Sequence, residues 1–237
     1  MLKAKGDLDA AEPLFREALE GRRKTLGNRH PETLTSISNL SSLLQDKGNL
    51  TAAERLCREA LGVQRATLGN RHPHTLGSIN NLGHLLQDKG DLTAAERLYR
   101  EALEVQRATL GNRHPNTLLS INNLGGLLWA KGDLAAAEPL LRDALEGRCE
   151  VLGDGHPDTI TSVNNLDMLL QQKLRESGFT LSPTSDRGRC NLTGVYALSN
   201  EEVAQLHAVG ALVQPKQTLR ESGFLRSHQH LTEGDAT

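Results

Sequence analysis

The chain has 237 residues, a formal net charge of −2, 37% hydrophobic residues and only 3% aromatic residues. Near-neutral charge argues against a nucleic-acid partner, which needs a concentrated basic face, and the scarcity of aromatics removes most stacking platforms for single strands. No stretch approaches the roughly eighteen consecutive apolar residues of a membrane span. The start, "MLKAKGDLDAAEP", lacks the apolar h-region of a secretory signal. Three cysteines, Cys57, Cys149 and Cys190, form no CxxC pair and leave an odd count. That reads as no disulfide framework and makes a reducing cytoplasm the expected compartment.

A fixed period organises the chain. "KGD", "KGN", "KGD" and "KGD" begin at Lys5, Lys47, Lys89 and Lys131, and His-Pro pairs begin at His30, His72, His114 and His156; both series step by 42. Residues 47–88 and 89–130 match at 34 of 42 positions. In chain order the pattern predicts one helix over 7–26, helix pairs over 31–67, 73–109 and 115–151, and a lone helix over 157–172. The period stops after Gln172, where "KLRESGF" stands in place of a fifth "KG".

The repeat beginning at Pro73 shows the logic. Leu76, Ile79, Leu82 and Leu86 share one face at helical spacing as far as Asp88. Gly90 then ends the helix by taking positive φ, and Asp91 is the N-cap of the next helix. Leu92, Ala95, Leu98, Tyr99, Ala102 and Leu103 form its buried stripe, while Arg97, Arg100, Glu101 and Glu104 face solvent. The recurring "TLGNRHP" reads as a joint. Its glycine (Gly27, Gly69, Gly111) closes one helix, and Pro31, Pro73 and Pro115 open the next. A metal shared by the histidines is disfavoured, because equivalent atoms in successive repeats lie roughly 10 Å apart and zinc holds its ligands at about 2 Å. No metal or other cofactor is expected.

The spacing Ile79-x2-Leu82-Gly83-x2-Leu86 followed by Ala95-x3-Tyr99 and Ala102 resembles the tetratricopeptide repeat. Ile79 and Leu86 replace aromatics, and the longer period lengthens the second helix. With "HP-x-T-L", "NNL" and "A-A-E-x-L-x-R-x-A-L", the unit is similar to the kinesin light chain type. The resemblance implies an all-α, right-handed α-solenoid of helix-turn-helix repeats over residues 1–172: a half repeat 1–30, full repeats 31–72, 73–114 and 115–156, and a half repeat 157–172. It also implies that the exposed face of each first helix lines a concave groove. The small Gly83, Ala95 and Ala102 are expected where paired helices approach most closely.

Placing Leu76 at 0° and advancing about 100° per residue, the predicted core of this helix lies opposite Gly77, Asn81, His84 and Asp88. Across repeats the Asn81 column is Asn39, Asn81, Asn123 and Asn165, which is invariant. Its neighbours vary: Thr35, Gly77, Leu119 and Thr161; Ser42, His84, Gly126 and Met168; Asp46, Asp88, Ala130 and Gln172. An amide both donates to and accepts from an extended peptide backbone whatever its sequence, so the asparagines suit backbone contact and the variable columns side-chain selection. The candidate groove residues are Asn39, Asn81, Asn123, Asn165, Asn80, Asn122, His84, Leu119 and Trp129. The other reading is that the "NN" pairs pack against the next repeat. With Asp46 and Asp88 and no lysine or arginine in these columns, the groove suits a neutral or basic peptide. Cys57 falls in the column Phe15, Cys57, Tyr99, Leu141 and reads as a core hydrophobe.

A catalytic site needs convergent groups of different kinds, whereas repetition spreads one residue along an axis. No phosphate loop, G-x-S-x-G elbow or HExxH is present, so no enzyme is expected. Residues 173–237 carry no repeat and read as a poorly ordered tail, with one helix over 199–213 opened by the capping pair Ser199 and Glu202. The expected function is a protein-interaction scaffold that holds a peptide or protein in its groove, as a kinesin light chain-like adaptor. The alternative is the sensor or assembly segment of a larger nucleotide-binding receptor, with end-to-end self-association. No nucleic acid or membrane is an expected partner.

Overall fold

The structure is a computed structural model, and it describes residues 7–176; the predicted helix 199–213 and the rest of the tail lie outside the described residues. Eight α-helices and no strand make up the described part: α1 (Leu8–Leu26), α2 (Pro31–Asp46), α3 (Leu50–Leu68), α4 (Pro73–Asp88), α5 (Leu92–Leu110), α6 (Pro115–Ala130), α7 (Leu134–Leu152) and α8 (Pro157–Glu176). A first compact unit contains these helices as far as Leu169, and the remainder of α8 belongs to a second. Within the first unit each helix packs on the next, and the first helices α4 and α6 also touch. This is the stacked-hairpin arrangement of an α-solenoid, in which each unit buries its apolar stripe against its neighbours.

The joint works through its own residues. Gly69 takes φ of 83°, a left-handed conformation in which a Cβ is strained. Three residues later His72 is the N-cap of α4, and its Nδ1 accepts the amide hydrogen of His74 at 3.2 Å. His30, His114 and His156 do the same for Glu32, Asn116 and Asp158. Each histidine thus fills the role usually held by serine or aspartate, and the proline behind it supplies the first helical residue. At the second turn Gly90 has φ of 83°, and Asp91 accepts from the amide of Ala94 at 3.0 Å.

The core is wider than a single helical face predicts. Leu76, Ile79, Leu82 and Leu86 are buried as expected, but so are Thr75 and Leu85. A first helix is covered by its own second helix on one side and by neighbouring first helices on the flanks, so its exposed strip is narrow. Ala95 and Ala102 are fully buried. A Cβ added at Gly83 would lie 2.6 Å from the Tyr99 ring, which is why the close approach of α4 and α5 requires glycine there. Helix α8 runs on to Glu176 rather than stopping at 172: position 174, where the period would place the turn glycine, is leucine.

A repeating set of ion pairs ties each second helix to the following second helix and to the turn that precedes it. Lys47 meets Glu12 at 2.5 Å, and Lys89 meets Glu54 and Lys131 meets Glu96 in the same way. Arg23 meets Glu59 at 2.5 Å and Arg65 meets Glu101 at 2.6 Å. Each pair joins one repeat to the next. Within a helix, Arg58 and Arg100 close back onto Glu54 and Glu96 at 2.8 Å. No described helix is long and apolar enough to cross a membrane.

Candidate functional site

The face left open by this packing belongs to the first helices. Asn39 and Asn81 are exposed on it, and Asn123 and Asn165 are half-buried. The varying columns beside them are largely exposed as well: Thr35, Gly77 and Thr161; Ser42, His84 and Met168; Asp46, Asp88 and Ala130. Leu119 is 41% and Met168 52% exposed, unusual for large apolar side chains in a packed array. Trp129 lies half-buried near the end of α6, in the position that Gln45 and Gln87 occupy in the preceding repeats.

The "NN" pairs divide between the two readings. Asn80 and Asn122 are buried, 7% and 6% exposed. The Asn80 side chain donates to Ser120 Oγ at 2.9 Å, and Ser120 Oγ donates back to Asn80 Oδ1 at 3.2 Å. Asn122 Oδ1 accepts from Ser162 Oγ and from Asn165 Nδ2, both at 3.2 Å. Asn80 and Asn122, the first of their pairs, therefore bridge to the next repeat while Asn81 stays exposed and Asn123 half-buried; in the last pair Asn164 is exposed and Asn165 reaches back to Asn122. Helical geometry accounts for the split, since adjacent residues point about 100° apart.

Between α2 and α4 this face deepens into a cleft of about 160 Å³. Ile37, Cys57 and Ala60 form its floor, and Gln45, Asn81 and His84 stand on its walls with serines from both helices. Its origin lies in one pair of positions. In α4–α5 that pair is Gly83 and Tyr99, and in α6–α7 it is Gly125 and Leu141, where an added Cβ would lie 2.8 Å from the leucine. In α2–α3 the same pair is Ser41 and Cys57, and no ring fills the space. Ser41 Oγ donates to the Ala53 carbonyl at 3.1 Å and lies 2.9 Å from Cys57 Sγ. Burial raises the Cys57 pKa, against a smaller lowering by the hydrogen bond with Ser41, and the Glu54 charge adds a still smaller rise. The thiol is therefore neutral and a poor nucleophile. It is half-buried and packed against the core, in keeping with its reading as a core hydrophobe, and it also lines the cleft.

At the rim, the Gln45 amide nitrogen donates to Asp88 Oδ2 and lies 2.9 Å from His84 Nδ1. Among the described residues, no group of three or more His, Cys, Asp or Glu is placed to hold a metal ion. Asn81 and His84, singled out in the sequence, are thus brought together in one cleft. Ser41 was not singled out and Cys57 was read only as a core hydrophobe, although their departure from the glycine-plus-large pairing of the next two repeats was the available signal.

Residues 74–150 match a family model described as tetratricopeptide repeat, and residues 1–32 and 33–74 match a second model of the same description. Together they cover well over half of the chain, which belongs to the tetratricopeptide repeat family. No curated protein matches it. Among solved structures it is similar to a Podosopora anserina kinesin light chain-like protein of nearly identical TPR-like repeats, with 24% identity, a TM-score of 0.63, and coverage of 89% of this chain and 90% of that one. A point-substituted form of that Podosopora anserina protein gives 23% identity, a TM-score of 0.64 and 92% coverage of both chains. BtubC (BKLC) from P. vanneervenii gives 22% identity and a TM-score of 0.62, over 90% of this chain and 78% of that one. Likeness at these identities establishes the fold, one that generally serves protein interaction rather than catalysis.

Proposed function

We propose that the chain is a non-enzymatic scaffold whose repeat region, residues 1–172, binds an extended peptide segment of a partner protein along the open face of its first helices, as an adaptor of the kinesin light chain-like kind. The observation that carries this is the column Asn39, Asn81, Asn123, Asn165. One amide per repeat lies on or beside the open face, flanked by positions that differ from repeat to repeat. The amides would hold the peptide backbone, and Leu119, His84, Met168 and Trp129 would sort its side chains. Asn80 and Asn122 support the column from behind by fixing the spacing between repeats. A free outer surface would drift on either helix. Yet of eight differences between 47–88 and 89–130, five fall in the first helix and only Gly62/Glu104 on the outer face of the second.

A peptide array probed with the full chain and with Asn81→Ala and Asn123→Ala tests this. Two lost backbone bonds, at about 1 kcal/mol each, should weaken binding roughly tenfold or more without changing the helical content. Undiminished binding by both variants would remove the asparagines from the site.

A further inference from the structure

The cleft beneath Asn81 has its own chemistry. Resting on the peptide-groove reading above, we propose that it is a side-chain pocket that sets the register of the bound segment. It takes one uncharged side chain, from leucine to tyrosine in size, with a lysine or arginine next to it in the partner.

Size sets the first limit. A volume of about 160 Å³ is close to the roughly 150 Å³ apolar cavity that accepts benzene, so one branched aliphatic chain or one ring fits. Polarity sets the second. The floor is Ile37, Ala60 and a neutral thiol, and a charged group seated there would lose its water without gaining a counter-charge. The serine hydroxyls and the amides of Gln45 and Asn81 on the walls can satisfy a phenolic or other neutral polar tip. The rim sets the third. Asp88, held by Gln45 at the cleft edge, is exposed, and the groove columns hold no lysine or arginine, so a cation beside the anchoring side chain is matched and an anion is repelled.

The pocket also answers a difficulty inherent in a repeating site. Asparagines recurring every 42 residues offer a peptide backbone equivalent positions on successive helices, so the ladder alone does not fix where the peptide sits. In the next two hairpins Tyr99 and Leu141 stand where Cys57 stands in this one, packed against Gly83 and Gly125. A side chain that requires the cleft therefore has one place among the three hairpins, and the rest of the segment is positioned from it.

The protein supplies its own control for the test. The double variant Ser41→Gly with Cys57→Tyr rebuilds in α2–α3 the Gly83–Tyr99 pairing that α4–α5 already holds. It should therefore fold, with a circular dichroism melting curve no lower than that of the unaltered chain. The probe is a biotinylated octapeptide library, randomised at four central positions within a lysine- and alanine-containing frame, presented to the full chain. The expected result is selection of Leu, Met, Phe or Tyr at one position with Lys or Arg adjacent. The filled variant should lose that selection and bind the preferred peptide about tenfold more weakly. If the filled variant keeps both selection and affinity while Asn81→Ala with Asn123→Ala weakens binding, the pocket is refuted and the groove stands. If filling abolishes selection while the asparagine variants bind undiminished, the asparagine ladder is refuted and the pocket stands. Selection of an acidic residue at the anchor or beside it overturns the pocket, and a library that yields no binder overturns both.

Discussion

The hairpins α2–α3 and α4–α5 are built on one plan, yet one carries an open cleft and the other a filled core. Both begin at a His-capped proline, turn at a Lys-Gly pair and restart at an Asn or Asp cap. Their floors differ at two positions. Glycine and tyrosine interlock in α4–α5, whereas serine and cysteine in α2–α3 leave space that opens on the groove. Repetition supplies the framework, and what is particular to this protein lies where repetition lapses.

The sharpest way to break this comparison is Tyr99→Cys. Tyr99 is fully buried, and replacing a buried aromatic ring by a small side chain costs about 3 kcal/mol or more. Cys57→Ala, beside an existing cleft, should cost about 1 kcal/mol or less. Denaturant unfolding of the two variants checks the contrast, and equal costs would mean that Tyr99 does not fill the space that Cys57 leaves open. A smaller effect should be shared by both hairpins. His30→Ala and His72→Ala each remove an N-cap acceptor worth about 1 kcal/mol, and matching losses on thermal melting would establish that the joints are equivalent.

The smallest effect concerns the outer face. Lys89→Met should cost about 0.5 kcal/mol at low salt, and it should also alter the acid limb of the stability profile. The hydrogen bond from Lys89, then that from Arg58, holds the Glu54 carboxyl below its ordinary value; Lys131, then Arg100, does the same for Glu96. A carboxyl whose folded pKa is depressed contributes its full stability above the unfolded value, roughly pH 4.3, and loses it as pH falls through the folded one. Lys89→Met should therefore unfold over a shallower acid slope, and an unchanged slope would show that the pair contributes nothing.

The helices and joints were legible in the sequence because each rests on a local rule. Apolar spacing gave Leu76 to Leu86 their face, Gly90 and Asp91 marked a stop and a start, and four prolines marked helix openings. The role of His72 was only half visible, since its position near the cap could be read but the acceptance through Nδ1 depends on ring orientation. Asn80 and Asn81 could not be separated without knowing what flanks the helix. Both are polar, and only the neighbouring first helix, carrying Ser120, turns one into a bridge. Leu85 and Thr75 were missed for the same reason. The cleft was hardest to foresee, because it arises from Ser41 and Cys57 being small together in two different helices.

The placement of the two kinds of contact has a consequence for how such a chain can grow or shrink. Floor pairs lie inside a hairpin, as with Gly83 and Tyr99, whereas the ion pairs cross from one hairpin to the next, as with Lys89 and Glu54. Excising residues 73–114 leaves Ser41 with Cys57 and Gly125 with Leu141, and brings Lys131 to Glu54. Excising residues 47–88 sets Ser41 against Tyr99, at a position where even one extra carbon in the following hairpin would stand 2.6 Å from the ring. The two cuts remove equal lengths, yet only the one at the His-Pro joint keeps every floor pair of the retained hairpins together. That joint is the seam at which a whole repeat can be lifted out.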